Sequence, residues 1–296
     1  GFVHVSRDGG YTWTRISDAL PPDLWVSRVE ASHHEMGRVY VTLNGYRWDD
    51  FAAYLYRSDD YGATWERLGS DLPAEPINVM LEDPDNADVL YVGTDHGLYV
   101  SLDGGDTFQA LMGHTTEEGR LPEAPVHDLK VHPREADLLV GTHGRSIWVA
   151  DVAHLQALTP ELRAEPLHVF ELDAVTHSER WGSRGWSWSE PAEPEVQVGF
   201  WAGESGEATV RVLDEAGDVV QTLTDAAEPG LNYVAYDLTS AEALDDEHEA
   251  GEDTERYYLL PGAYTVEVAL NRQTAEATLT VEEPPARPSR GRKKTP

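Results

Sequence analysis

One short pattern occurs three times in the N-terminal part of the chain and constrains the fold more than any other feature. It reads S-x-D-x-G-x-T-[WF]. The Asp carboxylate can accept backbone N–H groups inside a turn, the Gly can adopt a positive φ, and the hydroxyl residues add hydrogen bonds. The pattern predicts a hairpin turn with its aromatic side chain packed beneath neighbouring strands. The residues given this structural role are Ser6, Asp8, Gly10, Trp13, Ser58, Asp60, Gly62, Trp65, Ser101, Asp103, Gly105 and Phe108.

The segments between these copies repeat a plan of four strands. Four-stranded units that recur about every 40–45 residues are typical of propeller blades. The chain predicts half a blade, two complete blades and one blade without its outer strand, with a longer loop at 44–53. This open array leaves strand edges exposed, and further blades upstream would close it. The predicted strands span 25–30, 39–43, 54–57, 64–68, 77–81, 89–93, 98–101, 107–111, 126–131, 138–141 and 146–150.

The pattern changes after residue 151. Residues 152–194 predict a connector that begins with a short helix and continues as an irregular segment. Residues 195–283 predict six or seven short strands, which is typical of an immunoglobulin-like β-sandwich. The fold class is therefore all-β: a partial β-propeller of about three and a half four-stranded blades at 1–151, followed by the sandwich. Residues 284–296 predict a basic, disordered tail.

Three connector tryptophans, Trp181, Trp186 and Trp188, form an aromatic cluster in the sequence. The cluster is expected to seal the propeller against the sandwich. Stacking on a sugar is the alternative, because indole rings combine a large apolar face with a polar N–H.

The charge of the chain excludes several partners. It has 54 acidic against 22 basic residues and a formal net charge of −32. Such a surface repels nucleic acid and anionic membranes, and no segment is apolar enough for membrane insertion. The acidic residues occur in both halves, which favours a protein of a salt-adapted host over one with a local cation-binding face. The chain has no cysteine and hence no disulfide.

Two segments resemble metal sites but lack part of the ligand set. The segment 83–88 resembles the start of a calcium loop, but it lacks the Gly at position six and the acidic residue at position twelve. His127 and His132 lack a third ligand at zinc spacing. We therefore predict no metal and no cofactor.

Several stretches resemble the Asp-box (BNR) repeat superfamily, most closely large bacterial proteins described as glycosyl-hydrolase-like or sortilin-like. They are YRWDDF at 46–51 before YGATW at 61–65, VHDL at 126–129 and GTHGRSIW at 141–148. The resemblance implies a propeller array that ends near residue 150. A sandwich similar to that of flagellar-hook capping proteins would follow, carried by 208–220, 230–233 and 260–266. It also implies a secreted or periplasmic protein.

Candidate ligand-binding residues come from the face opposite the motif turns. Strands of a blade alternate in direction, so the loops between second and third strands share one face with the connections between blades. A glycan or peptide ligand is expected there; the other interpretation is that Arg145 and Asp49 form ion pairs between blades and that the histidines pack in turns. Asp95 and the connection through His114, Glu117 and Glu118 lie on the same face. The candidates are Tyr46, Arg47, Trp48, Asp49, Asp50, His96, His143 and Arg145.

The sequence predicts a binding or scaffold module for glycan or protein ligands, completed by upstream propeller blades. The alternative is a sialidase-like or xyloglucanase-like glycoside hydrolase whose catalytic carboxylates lie mostly upstream. A glycosidase needs two carboxyl groups about 5–10 Å apart, whereas the adjacent Asp49 and Asp50 would point apart. No arginine cluster of the kind that a sialidase needs can be assembled. We therefore assign no catalytic residue.

Overall fold

The computed structural model describes residues 1–111, 121, 123–245 and 248–285. The chain divides into two compact units, Gly1–Thr159 and Pro160–Pro296. Most of the predicted tail lies outside the described residues, and so do His114, Glu117 and Glu118 of the predicted blade connection. No described helix is long and apolar enough to cross a membrane.

The first unit consists of four antiparallel sheets in which strands that are consecutive in the chain are neighbours. This confirms the predicted half blade, two complete blades and three-stranded blade, which we call blades 1 to 4. Blade 1 contains β1 (His4–Val5) and β2 (Thr14–Arg15). Blade 2 contains β3 (Trp25–Ala31), β4 (Val39–Gly45), β5 (Asp50–Ser58) and β6 (Glu66–Leu68). Blade 3 contains β7 (Ile77–Glu82), β8 (Leu90–Thr94), β9 (Leu98–Ser101) and β10 (Gln109–Ala110). Blade 4 contains β11 (Val126–Val131), β12 (Asp137–Thr142) and β13 (Ile147–Asp151).

Apolar side chains fill the spaces between neighbouring blades. Leu55, Ile77, Met80 and Leu90 belong to one such core, between blades 2 and 3, and all four are fully buried. The innermost strands β3, β7 and β11 adjoin in that order. Because successive side chains of a strand point to opposite faces, each complete blade offers one apolar face to each neighbour.

The three motif turns share one hydrogen-bond arrangement. In the second copy the Oγ of Ser58 accepts the Gly62 N–H at 2.7 Å and donates to Asp60 Oδ1 at 2.9 Å. The Asp60 carboxylate also accepts the N–H and hydroxyl of Thr64, at 2.8 and 2.7 Å. The hydrogen bonds from Thr64 lower the pKa of Asp60 to about 2.

The aromatic residue of the motif is packed in two copies and exposed in the first. Trp65 Nε1 donates to the carbonyl of Ile16 at 2.9 Å, and Phe108 packs against the core between blades 2 and 3. Trp13 is 63% exposed, and its Nε1 donates locally to the Gly10 carbonyl. The packing prediction was therefore wrong for Trp13, because no blade precedes blade 1 in the described structure to cover it.

The segment predicted as a longer loop is a tight hairpin. β4 continues to Gly45 and β5 begins at Asp50, and these two residues are paired. A 3-10 turn at Tyr46–Trp48 and the left-handed Asp49 (φ 58°) reverse the chain. Phe51 lies in β5, as its β-propensity favours, whereas Tyr46 and Trp48 form the turn, so the strands are longer and the loop shorter than predicted.

A short helix ends the first unit. α1 (Ala153–Ala157) falls within the predicted helical segment, and it buries Leu155. The side-chain amide of Asn86 donates to the carbonyls of Gln156 and Leu158 at 3.0 and 3.2 Å. The fully buried Asp83 accepts hydrogen bonds from Tyr91 and Gln156. The segment 83–88, which resembles the start of a calcium loop, thus joins blade 3 to α1.

The second unit begins with α2 (Pro160–Arg163) and is otherwise β-structure. Two sheets share one apolar core, consistent with the predicted sandwich. The three-stranded sheet contains β14 (Leu167–Val169), β16 (Val196–Ala202) and β19 (Gly230–Tyr236). The five-stranded sheet contains β15 (Val175–Thr176), β17 (Gly206–Leu213), β18 (Val219–Ala227), β22 (Gly262–Leu270) and β23 (Gln273–Glu282). A small sheet pairs β20 (Thr239–Ser240) with β21 (Tyr257–Tyr258).

The predicted connector contributes to this unit. β14 pairs with β16, and β15 pairs in parallel with β23, so strand pairing begins well before residue 195. Trp181 packs against the sandwich core and lies 6.1 Å from the ring of Tyr258. Trp186 and Trp188 are 70% and 82% exposed. Trp181 therefore packs in the core of this unit, whereas Trp186 and Trp188 are exposed to solvent.

Candidate functional site

The predicted candidates lie at one edge of blades 2, 3 and 4. In each blade this edge holds the start of the innermost strand and the hairpin between the second and third strands. We call it the loop edge. It carries residues 46–50 in blade 2, His96 in blade 3, and His143 and Arg145 in blade 4. The motif turns follow the third strand of their blades and lie at the opposite edge.

A β-bulge occurs at the same place in the innermost strand of all three blades. The pairing register shifts at Ser27 in β3, Asn78 in β7 and His127 in β11. A bulge adds one residue to a strand and redirects its side chain, and bulges are frequent beside active sites. The three bulge residues therefore occupy equivalent positions at the loop edge.

Each bulge side chain contacts a residue near the end of the second strand of its own blade. The hydroxyls of Ser27 and Thr42 lie 2.8 Å apart, and Asn78 Nδ2 donates to Asp95 Oδ1 at 2.9 Å. The ring centroids of His127 and His143 are 5.5 Å apart. The three blades thus present a hydroxyl pair, an amide–carboxylate pair and an imidazole pair in succession.

Blade 2 adds an exposed aromatic platform, which we define as Trp25, Tyr46, Arg47 and Trp48. The indole of Trp25 meets Tyr46 and Trp48 edge-on, with ring centroids 6.5 and 5.9 Å apart. The Arg47 guanidinium carbon lies 4.2 Å from the Trp25 centroid, and its Nε donates to the Tyr46 hydroxyl at 2.9 Å. Trp25, Tyr46 and Trp48 remain 44%, 42% and 56% exposed. Such a surface can stack against an apolar ring face and donate hydrogen bonds at its margin.

The hairpin that carries the platform is fixed by neighbouring residues. The Asn44 side chain accepts the Tyr46 N–H at 3.1 Å, and the Asp49 N–H closes the turn on the Tyr46 carbonyl at 3.2 Å. Gly45 allows close approach, because a Cβ there would lie 2.9 Å from Asp50 Cβ and from Leu24 Cδ2. The hairpin is therefore fixed by the Asn44 side chain, by the backbone hydrogen bond of the turn and by close packing at Gly45.

Asp49 and Asp50 have different surroundings. Asp49 is exposed at the left-handed end of the turn. Asp50 accepts the Ala52 N–H at 3.1 Å and the Tyr54 hydroxyl at 2.9 Å. The hydrogen bond to Asp50, with burial, raises the pKa of the Tyr54 phenol. Asp50 acts mainly as an acceptor that orders the start of β5.

Blade 3 connects to blade 2 through side-chain amides. Asn44 Nδ2 donates to Asn78 Oδ1 at 3.2 Å, and Asn78 in turn donates to Asp95. Beside this chain, Glu75 accepts the Thr94 hydroxyl at 2.6 Å, and its other oxygen lies 3.7 Å from His96 Nδ1. His96 is mostly exposed, so a carboxylate stands next to an imidazole that solvent or a ligand can reach.

In blade 4, the exposed His143 donates its backbone N–H to the Pro125 carbonyl at 2.8 Å. Arg145 is exposed, and its carbonyl accepts Trp148 Nε1 at 2.8 Å. An ion pair joins Arg28 of β3 to Asp128 of β11, so an inter-blade ion pair exists but involves neither Arg145 nor Asp49 as partner. The described residues include no group of three or more His, Asp or Glu arranged to hold a metal.

Sequence reasoning missed Trp25, Glu75, Asn78 and His127 as members of this edge. Trp25 was assigned only to a strand, yet it pairs with Asn44 directly before the hairpin. Alignment of the blades would have placed Ser27, Asn78 and His127 at one position. The bulges at these positions leave no mark in the hydrophobic pattern.

Comparison with known proteins gives one relative in sequence. No protein-family model matches the chain. The chain is similar to a xyloglucanase. That protein, from Hypocrea jecorina (strain QM6a), is 27% identical over 139 residues, a match that covers 42% of this chain. This chain spans only 16% of the length of that relative.

Solved structures with some similarity to this chain include two GH74 enzymes and the extracellular domain of a two-component system. An ancestral GH74 enzyme shares 13% identity and a TM-score of 0.32, covering 86% of this chain and 24% of its own. The Niastella koreensis GH74 enzyme shares 11% identity and a TM-score of 0.33, covering 86% and 46%. The extracellular domain of a hybrid two-component system from B. thetaiotaomicron shares 10% identity and a TM-score of 0.34, covering 91% and 33%.

Proposed function

We propose that the loop edge binds a neutral polysaccharide and that the chain is a recognition module of a glycoside-hydrolase-like propeller protein. The observation that carries this proposal is the exposed platform of Trp25, Tyr46, Arg47 and Trp48, which continues into the side-chain amides of blade 3. Aromatic faces beside fixed hydrogen-bonding groups suit a sugar ring. The net charge of −32 disfavours a polyanionic ligand.

The sequence relative supports the choice of ligand. Its name identifies it as an enzyme that acts on xyloglucan, an uncharged polysaccharide. On this proposal the protein acts outside the cytoplasm, where such polymers occur. A protein ligand at the same edge is the other recognition function that the exposed aromatic residues allow.

The binding proposal is tested by affinity electrophoresis of the chain in gels that contain soluble xyloglucan. We expect the polysaccharide to retard the chain and Trp48→Ala or Arg47→Ala to abolish most of the retardation. Trp188→Ala is the matched control, because Trp188 is an exposed tryptophan of the second unit. Unretarded wild-type protein, or equal losses in Trp48→Ala and Trp188→Ala, would contradict the proposal.

A second candidate, glycoside hydrolysis, is favoured by the same relative. Asp49 and Asp50 directly follow Trp48 of the platform, but Asp50 is hydrogen-bonded to Tyr54. A complete hydrolase would therefore take at least one catalytic carboxylate from another loop or from blades upstream. Release of reducing ends by the parent protein, abolished by Asp49→Asn but not by Asp151→Asn, would favour hydrolysis over recognition alone.

A further inference from the structure

Two imidazole rings meet at the loop edge of blade 4. His127 occupies the bulge of β11, and His143 directly follows β12 in the hairpin that leads to β13. Their ring centroids are 5.5 Å apart, and the ring planes are inclined by 48°. The sequence suggested His127 and His132 as a pair without a third ligand, but the fold brings His127 to His143 instead.

The backbone on both sides of this imidazole pair is fixed. His127 lies between two residues of β11 that pair with β12. The His143 N–H donates to the Pro125 carbonyl at 2.8 Å, and the Thr142 hydroxyl donates to the Ser146 carbonyl at 2.6 Å. Adjacent strands therefore present the two rings to each other, at the distance over which cross-strand side chains interact.

Neither ring has another polar partner among the residues that the structure describes. His33, His96 and His168 each have a ring nitrogen near a glutamate carboxylate oxygen, at 3.9, 3.7 and 3.1 Å. The rings of His127 and His143 make no such ion pair and no hydrogen bond with a described residue. Their nitrogens are thus available as ligands, and neutral imidazole suits Cu²⁺ and Zn²⁺.

The spacing of the two rings fits one shared ion. A metal–nitrogen distance of about 2.0–2.1 Å would put the ion about 3.2 Å from each ring centroid. Centroids 5.5 Å apart then subtend an angle of about 120° at the ion, a little wider than the tetrahedral angle that Zn²⁺ prefers. The formal net charge of −32 adds a general attraction for cations.

We propose that His127 and His143 together hold one divalent transition-metal ion, Cu²⁺ or Zn²⁺, at the loop edge of blade 4. Two protein ligands leave the other coordination positions open to water or to hydroxyl groups of a bound molecule. Imidazole sites bind Cu²⁺ most tightly among the first-row divalent ions, so Cu²⁺ is the most sensitive probe. The metal site stands independently of the polysaccharide proposal, because it needs no ligand besides the ion.

The test is a titration of the chain with Cu²⁺ alone, measured by isothermal titration calorimetry and electron paramagnetic resonance. We expect one tightly bound ion per chain, with hyperfine coupling to the nitrogens of both imidazoles. His127→Ala and His143→Ala should each weaken binding at least about tenfold. The double variant should lose little more than either single variant, because the ion needs both rings. His4→Ala is the matched control, since His4 is an exposed histidine on a strand of the same unit.

Three results would overturn the proposal. The first is the absence of tight Cu²⁺ binding by the wild-type chain. The second is a pair of independent, additive losses in the single variants, because each histidine would then bind its own ion. The third is loss of the ion in His96→Ala but not in His143→Ala, since the copper would then lie beside Glu75 in blade 3. If His127→Ala fails to fold in circular dichroism, His143→Ala in the exposed hairpin provides the same comparison.

Discussion

Replacing Ser58 with alanine tests whether the motif turns stabilise the propeller through a buried hydroxyl. Ser58 is 2% exposed, and its Oγ accepts the buried N–H of Gly62 at 2.7 Å. In Ser58→Ala this N–H loses its acceptor, and water cannot reach it. An unpaired buried polar group costs about 1–3 kcal/mol.

The expected size follows from the size of the unit. For domains of about 150–250 residues, 1 kcal/mol corresponds to about 2–4 °C in Tm, so Ser58→Ala should lower the Tm of the first unit by about 2–12 °C. Differential scanning calorimetry measures this change. Ser6→Ala is the control, because Ser6 makes the same contacts with Gly10 and Asp8 at an exposed site. Water replaces the lost hydroxyl there, and the cost should stay within about 0.5 kcal/mol.

Two results would refute this reasoning. Equal losses in Ser6→Ala and Ser58→Ala would show that the local turn, not burial, sets the contribution of the serine. An unchanged Tm in Ser58→Ala would show that the Gly62 N–H finds another acceptor. The companion substitution Ser101→Ala should behave like Ser58→Ala, because Ser101 is fully buried and binds Gly105 in the same way.

Three further predictions follow from the described contacts. Hydrogen bonds from Thr12 and Thr64 lower the pKa values of Asp8 and Asp60 to about 2. The contribution of these two carboxylates to stability is therefore complete above the ordinary pKa near 3.8 and is lost as pH falls towards 2. Thr64→Val should raise the pKa of Asp60 alone in a carboxyl NMR titration, and an unchanged pKa would count against this cause. Asp50→Asn should lower the pKa of Tyr54 towards that of a free phenol, measured by NMR of labelled tyrosine, whereas Asp49→Asn should not. Gly62→Ala should destabilise the first unit by about 2–4 kcal/mol in urea unfolding, because φ is 84° and the new Cβ would lie 2.5 Å from Ile16 Cδ1. Gly9→Ala is the control: its new Cβ would have no atom within 4 Å, so the substitution should cost only about 1–2 kcal/mol.

The repeat predicted most of the first unit because each part of it has a local cause. The positions of Asp60, Gly62 and Thr64 specify one turn, and the apolar runs between turns specify strands. The exposure of Trp13 could not be predicted from the motif alone, since it depends on whether another blade lies against that copy. Packing between repeats is a non-local property that identical local sequences do not encode.

The loop edge was predicted only in part for a related reason. Strand alternation placed Tyr46, His96 and His143 at one edge, and the structure brings them there. The bulges at Ser27, Asn78 and His127 depend on how two strands pair, and alternating hydrophobicity does not reveal a shift of one residue. The ordering of Asp50 by Tyr54 depends on side-chain geometry within one strand, which spacing alone leaves open.

The three bulges make the loop edge modular. One backbone geometry presents a serine, an asparagine and a histidine in successive blades, and the strands on either side remain paired in each case. The same bulge therefore carries three chemically different side chains. Substitutions at these three positions should therefore change the chemical groups at the loop edge without rebuilding a loop.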